Sequence, residues 1–154
     1  MLAQDLKDLL DWNYTIRTGK PGKNDIYLSL MKPDKQLGEE GYVLTAGRYA
    51  GIEAPARQGA FWGTRSLLQI LYNEKGQLPK GVARDWPQYP SRGFMLDVGR
   101  KFFTMDFLRQ YVKILSFYKL NEFQIHLNDN GFVQFFDNDW NKTYAAFRLE
   151  SERF

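Results

Sequence analysis

The chain has 154 residues, of which 44% are hydrophobic and 16% aromatic, as in a folded globular protein with one domain or one small domain plus part of another. The 21 basic and 18 acidic residues are interleaved and leave a formal net charge of +3, so no basic patch for nucleic acid is predicted. With no cysteine and a single histidine, His126, the chain has no disulfide, thiolate metal site or two-histidine metal site.

The first part of the chain is predicted to be a small α+β domain over residues 1–75. A short leucine-rich helix over residues 3–12 is followed by a series of candidate strands and a longer helix. The strands are predicted at 25–30, 42–46 and 50–54, and the helix at 55–72. Gly59 and Gly63 are costly inside a helix, so they predict a close approach of its backbone to an antiparallel or mixed sheet.

Residues 76–92 are predicted to be a linker between two domains. The stretch contains Pro79, Gly81, Pro87 and Pro90 and follows the turn-forming segment 73–76. Proline and glycine at this density are typical of turns and domain boundaries.

The period of the hydrophobic pattern changes after the predicted linker. An apolar strand over residues 94–98 precedes a helix that Thr104 can cap and that Asn121, in a left-handed conformation, can end. A second strand follows over residues 122–127. A strand, a helix and a strand within this length indicate a βαβ unit with parallel strands, which makes the fold class α/β.

Arg100 and Asp129 follow the two strands of this unit and are therefore expected on the same face. A guanidinium suits neighbouring hydroxyls or a carboxylate, and a nearby aspartate can orient a base. An ordinary surface arginine and a turn-forming aspartate are equally good interpretations of the two residues. For His126 a core or supporting role is favoured over catalysis. The stretch 137–139 only partly matches a calcium loop, so no metal site is predicted.

Several segments of the chain resemble glycoside hydrolase family 20, the β-N-acetylhexosaminidases. The resemblance is carried by the segments Arg-Gly-Phe-Met-Leu-Asp-Val-Gly-Arg-Lys-Phe-Phe at 92–103, Tyr-Lys-Leu-Asn at 118–121 and His-Leu-Asn-Asp-Asn-Gly at 126–131. Residues 25–42 and 54–69 resemble the small non-catalytic domain of the family. The resemblance implies that residues 93–154 are the first strand, helix and second strand of an incomplete (β/α)8 catalytic barrel.

The resemblance also implies a chemistry for the candidate residues. Arg100 matches the arginine that grips hydroxyls of the terminal sugar, and Asp129 matches an aspartate that supports the acid/base glutamate through a histidine further along. The substrate's own 2-acetamido oxygen is the nucleophile in this family. The catalytic Asp-Glu pair would lie beyond Phe154, so the 154-residue chain alone is expected to be inactive.

Further expectations follow from the same resemblance. The partner is a glycan with a terminal N-acetylhexosamine, no cofactor is implied, and the parent protein is expected to be secreted, periplasmic or at the cell surface. The chain itself contains no recognisable signal peptide and no membrane-spanning segment. Gln124, Asn130 and Lys101 depart from common family residues. These departures leave open a lacto-N-biosidase-like specificity for a disaccharide.

Two other interpretations compete with that of a truncated hexosaminidase. A free-standing carbohydrate-binding or scaffold module remains an alternative, whereas a dinucleotide-binding unit is disfavoured because neither strand is followed by a G-x-G-x-x-G turn. An incomplete barrel exposes a strand edge, so self-association of residues 93–154 is expected.

Overall fold

A computed structural model describes residues 1–127 and 133–142 and divides the chain into two compact units, Met1–Pro90 and Ser91–Phe154. The first unit contains, in chain order, α1 (Leu2–Leu10), β1 (Ile26–Leu30), β2 (Tyr42–Ala46), β3 (Ala50–Ala54), α2 (Arg57–Asn73) and β4 (Gly81–Asp85). The second contains β5 (Gly93–Asp97), α3 (Met105–Phe117) and β6 (Glu122–His126), followed by short 3-10 turns at Val133–Phe136 and Trp140–Lys142.

The four strands of the first unit form one mixed sheet in the order β1-β3-β2-β4. β1 runs parallel to β3, whereas β2 runs antiparallel to both β3 and β4. Alternation along the central strands buries Leu44 and Ile52 almost completely. Because it contains both parallel and antiparallel pairs, the sheet is mixed, which is one of the two arrangements predicted from the sequence, antiparallel or mixed.

Helix α2 lies directly on this sheet, and two of its glycines permit the contact. A Cβ atom on Gly59 would lie 2.1 Å from the carbonyl oxygen of Gly41, and one on Gly63 would lie 2.5 Å from Cγ2 of Ile52. Neither distance leaves room for a side chain. The predicted close approach of helix and sheet is confirmed, and the packing of α2 outweighs the low helix propensity of glycine.

Helix α1 is joined to α2 by a buried arginine. The guanidinium Nη2 of Arg65 lies 2.7 Å from Oδ2 of Asp5, and the two side chains are only 4% and 16% exposed. Nε of Arg65 also donates to Oγ1 of Thr64 at 3.2 Å, and its guanidinium carbon lies 4.8 Å from the centre of the Phe61 ring. A charge this deeply buried is tolerated because it is paired and hydrogen-bonded.

The prediction of a linker over residues 76–92 is wrong for its central part, because residues 81–85 form β4 and complete the first sheet. β4 is an edge strand whose residues are mostly exposed, so its sequence Gly-Val-Ala-Arg-Asp lacks the apolar alternation of a half-buried strand. Its pairing is supported by the Tyr42 hydroxyl, which contacts Asp85 and Oγ of Ser66. Burial is the main cause that raises the pKa of Tyr42 above its usual range.

The second unit is the predicted βαβ unit, with β5 and β6 paired in parallel. Oγ1 of Thr104 accepts a hydrogen bond of 3.2 Å from the amide of Phe107, which confirms Thr104 as the cap of α3. The ring of Tyr111 on α3 lies 5.4 Å from that of Phe94 on β5 and 5.8 Å from that of Phe123 on β6. These ring contacts hold the helix against one face of the two strands.

The prediction that Asn121 ends α3 in a left-handed conformation is wrong. Lys119 takes that conformation instead, with a φ of 59°. Oδ1 of Asn121 accepts a hydrogen bond of 2.8 Å from the amide of Arg92. The side chain of Asn121 therefore joins the start of β6 to the residue that precedes β5. Across the described residues, no helix is long and apolar enough to cross a membrane.

Candidate functional site

The carboxyl ends of β5 and β6 lie side by side, and they define the edge where the sequence predicts a site. Asp97 and His126 are the last residues of the two strands and are register partners. Beyond them, the amides of Val98 and Gly99 both donate to the carbonyl of His126, at 3.1 and 3.0 Å. Hydrogen bonds to β6 therefore hold the backbone that follows β5 as far as Gly99, the residue before Arg100.

Strand alternation places Asp97 and His126 on the face of the two strands that is opposite to α3. Phe94 and Phe123 contact Tyr111 of the helix, and residues three positions further along a strand point the other way. Asp97 and His126 are both partly buried. In a closed (β/α)8 barrel this face is the interior, which the side chains fill in layers.

Arg100 is held by the carboxylate of Asp97 at two points. The backbone amide of Arg100 donates to Oδ1 at 3.0 Å, and its guanidinium Nη1 donates to Oδ2 at 2.9 Å. The amide hydrogen bond, then the charge and side chain of Arg100, and also the charge of His126, hold the pKa of Asp97 below its usual range. Asp97 therefore stays a carboxylate at neutral pH. The side chain of Arg100 is 41% exposed.

Asp97 is the member of this group that the sequence prediction missed. It ends an otherwise apolar run, Phe-Met-Leu-Asp-Val, and stands three residues before Arg100. A carboxylate at the end of an apolar strand is a detectable signal, because an acidic residue that is partly buried needs a hydrogen-bonding partner.

Arg92 lies at the opposite, amino-terminal end of β5. Its Nε donates to the carbonyl of Lys119 at 2.8 Å, and its own carbonyl accepts from the amide of Asn121 at 2.9 Å. These contacts tie β5 to the turn between α3 and β6. Arg92 therefore contributes to the packing of the unit, at the end of the strand that does not carry Arg100.

The remaining candidates lie partly within the described residues and partly outside them. Asp129 and its loop lie outside the described residues, so its assignment stays a prediction. Asp137 pairs with Nζ of Lys142 at 3.0 Å, and Oδ1 of Asp139 accepts from the amide of Asn141 at 2.9 Å. Within residues 1–127 and 133–142, no three His, Asp or Glu side chains come together as metal ligands.

The first unit contains a hollow of about 560 Å³ between the segment 14–21 and β1. Two of its charged residues, Arg17 and Asp25, pair with each other, and Asp25 also accepts from the amide of Gly22 at 2.5 Å. Partial burial, with a smaller effect of the Asp25 charge, raises the pKa of Tyr14. The carboxylate of this hollow is engaged in holding the loop, which leaves the edge of β5 and β6 as the better candidate site.

Both units match glycoside hydrolases. The family model for glycosyl hydrolase family 20, domain 2, matches residues 1–86, and the model for the catalytic domain of the same family matches residues 89–136. The chain therefore belongs to glycosyl hydrolase family 20. This confirms the resemblance seen in the sequence and the predicted α/β fold class, in which the second unit corresponds to the start of the catalytic domain.

Individual relatives agree with the family match. The chain is 33% identical to a beta-hexosaminidase of Porphyromonas gingivalis, over 84% of this chain and 18% of that protein. It is 31% identical to a lacto-N-biosidase of Bifidobacterium bifidum, over 78% of this chain and 11% of the relative. A mutant of the Streptomyces plicatus beta-hexosaminidase, solved in complex with the product GlcNAc, matches with a TM-score of 0.68 and 31% identity, over 83% of this chain and 28% of that one.

The length covered in these relatives is small. The chain spans about a fifth of the length of the curated relatives that it matches first, at 18% and 20%.

Proposed function

We propose that this chain belongs to a β-N-acetylhexosaminidase that removes terminal N-acetylhexosamine residues from glycans by substrate-assisted retaining catalysis. The observation that carries the proposal is the match of residues 89–136 to the family 20 catalytic domain, with Arg100 at the carboxyl edge of the first strand pair. The same match favours an enzyme over a free-standing carbohydrate-binding module. In this chemistry the 2-acetamido oxygen of the substrate attacks the anomeric carbon, and a carboxylic acid protonates the leaving oxygen.

Within this mechanism the described residues bind and orient the sugar. A guanidinium presents a planar fork of donors that suits two neighbouring hydroxyls, and Arg100 is held at the strand edge with a partly exposed head. We assign to Asp129 the support of the acid/base glutamate through a second residue. His126, beside Asp97 on the barrel-facing side of the strands, is assigned a supporting role.

The proposal is tested with two polypeptides, the 154-residue chain and the full product of the open reading frame that encodes it. The full product is expected to release the chromophore from an aryl N-acetyl-β-glucosaminide, and the 154-residue chain is expected to be inactive. The reason is that the sequence contains no adjacent Asp-Glu pair. Turnover that co-purifies with the 154-residue species would contradict the assignment of the chemistry to groups outside it.

The lacto-N-biosidase relative favours a second specificity, in which the terminal unit is a disaccharide. An aryl lacto-N-bioside is therefore assayed beside the monosaccharide substrate. Hydrolysis of the disaccharide alone would replace the proposed substrate class and leave the reaction type unchanged. Hydrolysis of neither substrate by the full product would overturn the proposed function.

We also propose that the 154-residue chain self-associates through its second unit. Large apolar side chains of this unit are extensively exposed, among them Phe94 at 42%, Met95 at 53%, Phe102 at 64%, Met105 at 60%, Val112 at 49% and Ile114 at 51%. Exposed apolar surface on this scale is typical of surfaces that another element or molecule covers. Sedimentation velocity over a range of concentrations is expected to show oligomers, whereas a single monomeric species at high concentration would refute the proposal.

A further inference from the structure

The carboxylate of Asp97 makes an unusual pair of contacts for a single side chain. It accepts from the backbone amide of Arg100 at 3.0 Å and from the guanidinium of the same residue at 2.9 Å. The two contacts use different oxygens of the carboxylate. Because both the main chain and the head of Arg100 are fixed to one group, the torsions between them are restricted.

Asp97 is itself fixed by the sheet. It is the last residue of β5, and its register partner is His126. The next two amides along the chain, those of Val98 and Gly99, donate to the carbonyl of His126. The orientation of the Arg100 side chain is thereby fixed by the rigid strand pair and not by the loop that follows it.

Stability does not account for this pair. Ion pairs between partly exposed side chains contribute little to folding, and the side chains of Arg100 and Asp97 are 41% and 25% exposed. The chain offers a comparison on α3, where Asp106 and Arg109 form another pair at the same spacing and the same 2.9 Å distance. That second pair is 90% and 66% exposed on an open helix surface, whereas Asp97 stands at the end of a strand beside the candidate site.

We propose that Asp97 is a positioning residue, which orients the guanidinium of Arg100 toward the hydroxyls of the terminal sugar. The inference rests on the proposed function, in which Arg100 binds those hydroxyls. Asp97 touches no substrate atom in this arrangement and acts only through Arg100.

The substitution Asp97→Asn separates the two contacts. The amide oxygen of asparagine still accepts from the backbone amide of Arg100, so the turn after β5 is kept. The amide nitrogen, however, is a donor and cannot accept from the guanidinium. The variant therefore loses the orientation of the side-chain head with little disturbance of the fold.

The experiment uses the full product of the reading frame and three aryl substrates, namely the N-acetyl-β-glucosaminide and its 3-deoxy and 4-deoxy analogues. The wild-type enzyme is expected to prefer the parent substrate over the analogue that lacks the hydroxyl bound by Arg100. Loss of a charge-assisted hydrogen bond is expected to lower kcat/KM roughly tenfold or more. Asp97→Asn is expected to lower this preference at least about threefold, and Arg100→Ala to remove it. Asp106→Asn is the matched control and is expected to keep the wild-type preference.

The double variant Asp97→Asn with Arg100→Ala completes a double-mutant cycle. Adding Asp97→Asn to Arg100→Ala is expected to change kcat/KM by less than about twofold, because the group that Asp97 orients is already absent. If Asp97→Asn keeps the wild-type preference, or lowers kcat/KM for all three substrates alike, the inference is wrong while the proposed function stands. If the wild-type enzyme hydrolyses none of the substrates, the proposed function itself fails.

Discussion

Replacing Arg100 by alanine in the full enzyme is expected to lower kcat/KM for the N-acetyl-β-glucosaminide at least about tenfold and to leave the melting temperature nearly unchanged. Arg100 follows β5 at the carboxyl edge, and its exposed contact with Asp97 contributes little to stability. A hydrogen bond from a charged donor contributes about 1.5–3 kcal/mol, and 1.36 kcal/mol corresponds to tenfold in rate. Steady-state kinetics and thermal unfolding of the same preparations measure both quantities.

Arg92→Ala is the matched comparison, because the two arginines lie at opposite ends of the same strand. Arg92 donates to the carbonyl of Lys119 at 2.8 Å, so its loss should lower the melting temperature. The folded fraction of this variant is expected to keep nearly wild-type kcat/KM, in line with the stabilising role of the amino-terminal face of a barrel. Wild-type efficiency in Arg100→Ala would show that the sugar-binding residue is wrongly assigned.

The second large effect is expected in the first unit, where Asp5→Asn should lower the free energy of unfolding by about 3 kcal/mol. The substitution leaves the Arg65 guanidinium, 4% exposed, without the carboxylate that lies 2.7 Å away. Breaking a buried pair from one side costs about 3–5 kcal/mol, because the remaining charge stays buried. Urea unfolding of the 154-residue chain, followed by its tryptophan fluorescence, to which the buried Trp62 contributes, measures the change.

Two controls distinguish the loss of charge pairing from other effects of this substitution. Asp8→Asn makes the same change on the exposed side of α1, where the carboxylate accepts from Nε2 of Gln4 at 2.7 Å, and should cost less than about 0.5 kcal/mol. The double substitution Asp5→Leu with Arg65→Met replaces both partners by apolar groups and should recover much of the loss. Equal destabilisation by Asp5→Asn and Asp8→Asn would refute a special role for the Asp5–Arg65 pair.

The regular elements were predictable where burial and periodicity agree. The bounds of β2 and β3 coincide with the predicted strands, and β1 starts one residue later than predicted. The parallel pairing of β5 and β6 is confirmed as well. In these segments short apolar runs or apolar alternation, bounded by turn-forming residues, mark the strands directly in the sequence.

The elements that were missed depend on contacts distant in sequence. β4 is formed by pairing with β2, and its exposed side chains carry no hydrophobic pattern. Asn121 was expected to end α3, yet its amide oxygen accepts from the amide of Arg92, 29 residues away. Such partners follow from the tertiary fold and not from local propensity.

The candidate site was predictable in part. Arg100 is predicted from the sequence because it follows an apolar strand and matches a family motif, and its role in sugar binding stays a prediction. Asp97 was not, because its role is visible only when both of its oxygens are seen to accept from Arg100. The carboxylate at the end of an apolar strand is visible in the sequence, but the residue through which it acts is visible only in the structure.

The unequal burial of the two units has a consequence for the synthesis of the protein. Most of the described residues that are fully buried lie in the first unit, including Leu6, Leu37, Ile52, Leu67 and Leu68. Its sheet is complete once β4 has been added at Asp85, a few residues before the boundary at Pro90. Domains fold as units during translation, the N-terminal ones first. The first unit can therefore reach its native packing on the ribosome while the strands that follow Ser91 are still being translated, so these strands are synthesised behind a domain that is already folded.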